Sequence, residues 1–167
     1  MCLSNFDHPL LYMRNVGNPW LLELVWWLFT AVLVIFVMYP IYQEIPDYPF
    51  WVENCIAIVT FITSARHIFF LRFSPIAYIQ PLKVVLAIAM IPFIFMLVSQ
   101  FNFFQTYLDE NGILSFLGHL SPDRIDSMDR YIRNEMGFFS IGGIISSAIL
   151  AIRLIISVWR VRNKGTV

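Results

Sequence analysis

The sequence predicts an all-α fold: a polytopic membrane protein built as a four-transmembrane-helix bundle, with an amphipathic extracytoplasmic helix between spans three and four. Three observations predict it. Of 167 residues, 59% are hydrophobic and 13% charged, whereas an ordinary soluble domain is about 45–50% apolar and about 25% charged. Four separate apolar stretches reach the roughly 20 residues that a bilayer core about 30 Å thick asks of a spanning helix. Trp20, Tyr39, Trp51 and Trp159 stand at the ends of these stretches, where amphipathic rings settle in the headgroup layer.

The spans run over about 20–39, 51–71, 82–101 and 138–159, in one membrane domain covering residues 1–167. The first starts too late, runs too long and is too aromatic for a cleaved signal peptide, so it is read as a retained span. The loop after it holds Glu44 and Asp47 and no Lys or Arg. The second span carries polar residues along one face. Arg66 near its end, with Arg72 and Lys83 in the connection that follows, faces no acid there, and the two prolines of RFSPIAYIQPLK (residues 72–83) favour a turn on the membrane face. In the third span Pro92 alone interrupts the apolar run.

The connection over residues 102–137 has six acids against Arg124, Arg130 and Arg133, and the tail after the fourth span holds Arg160, Arg162 and Lys164. Basic residues mark the cytoplasmic side, so both termini and the middle connection are expected in the cytoplasm of a plasma or bacterial inner membrane. Within the outer connection, Ser121 is an expected N-cap, Pro122 the first helical residue and Gly137 the stop. Ile125, Met128 and Ile132 share one face of that helix, which lies on lipid or docks on a partner. Asp126–Arg130 and Asp129–Arg133 form i,i+4 pairs on the other faces. The segment Gly112–Leu120 is expected as a second interfacial piece.

Several function classes fall away. The zero net charge lacks the basic footprint of a nucleic-acid binder. Cys2 and Cys55 fall on opposite sides of the bilayer, too far apart for a disulfide. His8, His67 and His119 fall in three layers, so neither a zinc site nor a haem is expected. A phosphate loop, an HExxH motif and a nucleophile elbow are all missing. No cofactor and no catalytic residue are expected.

Ionisable and polar residues inside spans are the default functional candidates, since each charge costs about 2.5–3.5 kcal/mol at a span centre. Glu23, Arg66, His67 and Arg153 all fall toward the inner side. Glu23 either neutralises Arg66 or Arg153 across helices, or sits at the interface while Arg66 snorkels. On the second span Glu53, Thr60, Ser64 and His67 make one polar stripe; it hydrates a path or supplies interhelical hydrogen bonds. On the fourth, Gly142 with Ser146 and Gly143 with Ser147 are small-xxx-small pairs marking a packing face, inside the bundle or against another subunit.

The order of elements resembles the four-helix voltage-sensor domain of voltage-gated cation channels. ENCIAIVTF (residues 53–61) resembles the acid-bearing start of that family's second segment. VVLAIAMIPF (84–93) resembles its third around the proline, here Pro92, and SAILAIRLIISVWRVRNKG (147–165) its fourth in general character. The resemblance implies a sensing role for Glu53, His67 and Arg153. The family places an arginine at every third position of the fourth segment, and here the arginines are irregular. One charge moved through 100 mV supplies about 2.3 kcal/mol, so the implied voltage dependence is shallow.

The expected function is that of a non-enzymatic subunit or accessory factor, packing in membrane lipid against other membrane protein subunits or against itself. The alternative is a voltage-sensor-like ion- or proton-conducting or sensing protein that uses Glu53, His67 and Arg153.

Overall fold

A chain in lipid must satisfy its own backbone hydrogen bonds, and a long apolar run does so by coiling into a helix. The computed structural model describes residues 19–71, 74, 76 and 79–163, with side chains from residue 21 onward. These residues form α1 (Pro19–Glu44), α2 (Trp51–Phe70), α3 (Gln80–Asn111), the single turn α4 (Leu114–Leu117) and α5 (Pro122–Asn163), with no strand among them. Three of the helices, α1 from Leu21 onward, α3 and α5, are long and apolar enough to cross a membrane. In α2, Glu53, Asn54, Arg66 and His67 interrupt the apolar run. Expectations attached to Cys2, His8, Lys164 and the turn after Leu71 lie outside the described residues, except at Ser74 and Ile76.

The helices α1, α3 and α5 overrun the predicted spans. α1 continues through Pro40 to Glu44, although the proline cannot donate to the Phe36 carbonyl. α3 runs 32 residues to Asn111, about 48 Å at helical rise. It ends at Gly112, whose φ of 70° suits glycine, with its N–H on Leu108 O at 3.0 Å.

The largest departure is at Gly137. The predicted stop is absent, and the amphipathic segment and fourth span form one helix of 42 residues, about 63 Å long. A glycine ends a helix when the chain must turn there. Here Ile132 and Met136 before it and Ser140 and Gly143 after it are all buried on the same bundle, so continuation keeps every backbone bond.

Cross-links between side chains give the helix directions. Asn54 meets Glu135 and Ser64 meets Ser147, so α2 and α5 run parallel. On α1, Glu23 meets Arg66 and Tyr42 meets Trp51, and on α3, Lys83 meets Ser157 while Phe104 and Leu108 share a core with Ile132 and Met136, so α1 is antiparallel to α2 and α3 to α5. α5 packs between α2 and α3, while α1 packs mainly on α2.

Two apolar cores result. The larger, at the Glu44 end, gathers Met38, Ile41, Ile45, Tyr48, Phe50, Phe104, Leu108, Leu117, Ile132 and Met136. Phe50 sits at its centre, with the rings of Tyr107 at 5.1 Å and Phe104 at 5.2 Å in edge-to-face contact. Ile125 and Met128 pack against this core, so the apolar face expected on lipid or on a partner docks on its own chain. Leu117 is fully buried there, which makes α4 part of the core rather than an interfacial piece. Tyr131 Oη donates to Val37 O at 2.7 Å. Arg124 pairs with Glu44, and His119 Nε2 lies 2.8 Å from Glu44 O. Both expected i,i+4 pairs form, Arg130 on Asp126 and Arg133 on Asp129. The smaller core, at the other end, holds Leu71, Ala87, Leu150 and Leu154.

Candidate functional site

Between the two cores α2 and α5 meet along a polar seam. Their close approach depends on small residues. A Cβ on Gly143 would stand 3.6 Å from Ala57 O, and one on Gly142 would stand 2.9 Å from the Phe61 ring. Gly143 and Ser147 are buried against α2, Ser146 is buried with its hydroxyl donating to Gly143 O of its own helix, and Gly142 is half-buried. The small-residue face therefore closes inside this chain.

The seam's polar groups come from both helices. At the Glu44 end, Asn54 Nδ2 donates to Glu135 Oε2 at 2.6 Å, with both side chains buried. Asn54 Oδ1, Glu135 Oε1 and the nearby Tyr48 hydroxyl are buried with no hydrogen-bond partner among the described residues. Midway, the Ser64 and Ser147 hydroxyls lie 3.4 Å apart, and Thr60 is buried beside Gly143. At the far end, His67 Nδ1 lies 2.7 Å from Thr63 O of its own helix. Thr60, Ser64 and His67 thus belong to the interior, while Glu53 is half-buried beside it.

Arg66 leaves the seam on the α1 side. Its guanidinium lies 2.5 Å from Glu23 Oε1 and 5.5 Å from the centre of the Trp26 ring. Trp26 in turn touches Phe70 at 5.8 Å. Burial costs a charge its hydration, and an opposite charge with a π-face is the available compensation. Arg153 takes no part. It is exposed and has no carboxylate partner among the described residues. The four candidates expected on the inner side are therefore divided: Glu23, Arg66 and His67 gather on α1 and α2, and Arg153 stands on an exposed face of α5.

Among the described residues, six buried polar residues were not singled out as candidates by sequence: Thr30, Asn54, Ser74, Lys83, Glu135 and Ser140. The signal for Glu135 is the row Ile125, Met128, Ile132, whose next helical step falls at 135–136. A carboxylate on an apolar row needs a partner. Among the described residues no three His, Cys, Asp or Glu side chains stand close enough to hold a metal ion. Chemically, the seam can bridge helices by hydrogen bonds and hold a buried carboxylate with one free oxygen. Comparison with family models, with curated proteins and with solved structures finds no match.

Proposed function

We propose that this chain is a non-enzymatic, four-span integral membrane subunit that acts by packing α1 against another integral membrane protein. The observation behind it is the isolation of α1. From Leu21 to Val37, Thr30 is the one buried residue, and Trp27, Leu28, Val32, Ile35 and Phe36 stand exposed. Its foot opens onto a groove of about 680 Å³ between Leu24, Trp27, Ile79 and Leu82, with Glu23 and Ser74 on the wall. A concave apolar strip with two polar groups at one end suits a partner helix carrying a donor at that depth.

The fourth crossing is assigned to α2. It lies parallel to the part of α5 from Glu135 to Ser147, so a bilayer enclosing that part of α5 encloses α2 as well. Its polar residues turn inward to α5 and α1, where they need no lipid. Both termini then lie on the side marked by Arg160 and Arg162, the cytoplasm, and the Glu44 end forms an extracytoplasmic cap.

The test is a photo-crosslinking residue placed at Phe36 in the chain at native expression, with Phe61, which faces α5, as the internal control. The expected result is one adduct from Phe36, to a membrane protein that also co-purifies in fixed ratio in mild detergent, and none from Phe61. An adduct only to a second copy, or none, would overturn the proposal. A voltage-sensor-like conducting reading draws support from the buried polar run Asn54, Thr60, Ser64 and His67. Proton or cation flux into liposomes holding the purified chain selects that reading over the first.

A further inference from the structure

A cleft of about 640 Å³ opens between α5, α3 and the end of α2. Its polar lining consists of Lys83, Arg153 and Arg160 with the neutral Gln80 and Ser157, and no lining residue is acidic. Lys83 is the unusual member. It is 2% exposed, and its Nζ donates to Ser157 Oγ at 3.1 Å and Gln80 Oε1 at 3.4 Å, both neutral. Burying an ammonium without a counter-charge is costly, and no carboxylate among the described residues supplies one. Arg153 and Arg160 are exposed, with no acidic partner among the described residues. Three cations thus line a cleft to which no described residue contributes a negative charge.

The rest of the lining decides which anion fits. Ile149, Ile152 and Ile156 form a wall of the cleft while standing about half exposed on the outer face of α5, a helix apolar enough to cross a membrane. A free inorganic anion gains nothing from that wall. A molecule with a phosphate at one end and an acyl chain at the other fills both parts, and basic pockets between spans suit such headgroups.

We propose that this cleft binds an anionic phospholipid, with the phosphate between Lys83, Arg153 and Arg160 and an acyl chain along Ile149, Ile152 and Ile156. The site is independent of any partner on α1, because none of its lining residues belongs to α1 and it is read out on the purified chain alone.

The test is native mass spectrometry of the full chain released from detergent with equal amounts of phosphatidylglycerol and phosphatidylcholine. The expected result is preferential retention of phosphatidylglycerol. Arg153→Gln and Arg160→Gln should each reduce that preference about five-fold, as one lipid-facing cation contributes. Both residues are exposed, so folding is not at stake. Arg162→Gln, which removes a neighbouring charge outside the cleft, should leave the preference unchanged. Inorganic phosphate should not displace the lipid. Equal retention of the two lipids, an Arg162→Gln effect as large as that of Arg153→Gln, or displacement by inorganic phosphate would each overturn the proposal.

Discussion

Glu135 and Asn54 place a carboxylate and an amide in the interior with one hydrogen bond between them and one acceptor on each left over. Removing the donor leaves a buried charge uncompensated, whereas neutralising the acceptor does not. Asn54→Leu is therefore expected to lower stability in a detergent melt by about 1–3 kcal/mol. Glu135→Gln removes the charge and brings an N–H₂ that can donate to Asn54 Oδ1, so it should match or exceed the wild type. Equal losses in the two variants would show that the charge itself is needed. The sequence made some of this visible and hid the rest. Glu23 and Arg66 could be put at one depth by counting residues, and they do meet. Glu135 escaped notice because the helix was expected to end two residues later, which made the position look like a solvated terminus. Lys83 was counted as one of the basic residues of a loop, and only the packing of α3 on α5 reveals that it is buried.

At the scale of elements, α5 carries the architecture, since its one continuous axis joins the apolar cap to the seam and to the cleft. Two glycines on it should respond in opposite ways. At Gly137 an added Cβ meets nothing within 4 Å, and glycine inside a helix costs about 0.5–1 kcal/mol relative to alanine. Gly137→Ala should raise the melting temperature. At Gly143 the α2 backbone stands across the interface, so Gly143→Leu should force the helices apart and cost about 1–3 kcal/mol. A melt that falls for Gly137→Ala would mean that the helix bends or breaks there. The positions of the helices were legible from apolar runs and flanking aromatics. Their ends were not. Gly112 and Gly137 look alike in sequence, and what separates them is tertiary: after Gly112 the chain must turn into α4, whereas past Gly137 buried residues continue on the same face.

At the scale of the whole molecule, the account turns on α2. Among the described residues it is the one long helix that falls short of the apolar run a span needs, yet its polar groups face α5 and α1, so its neighbours, rather than its own composition, make it compatible with a bilayer. Hydropathy alone separates it from α1, α3 and α5, and only the pairing of Asn54 with Glu135 and Ser64 with Ser147 aligns it with them. If α2 crosses, the loop at Asp47 and the end of α5 at Asn163 lie on opposite sides of the membrane. If α2 does not cross, they lie on the same side. Both residues are exposed, which makes the distinction measurable with Asp47→Cys and Asn163→Cys, each in a background carrying Cys2→Ser and Cys55→Ser. In intact cells, a membrane-impermeant maleimide should label the Asp47→Cys protein at once and the Asn163→Cys protein only after permeabilisation. Labelling of both in intact cells, or of neither, would contradict the four-span account.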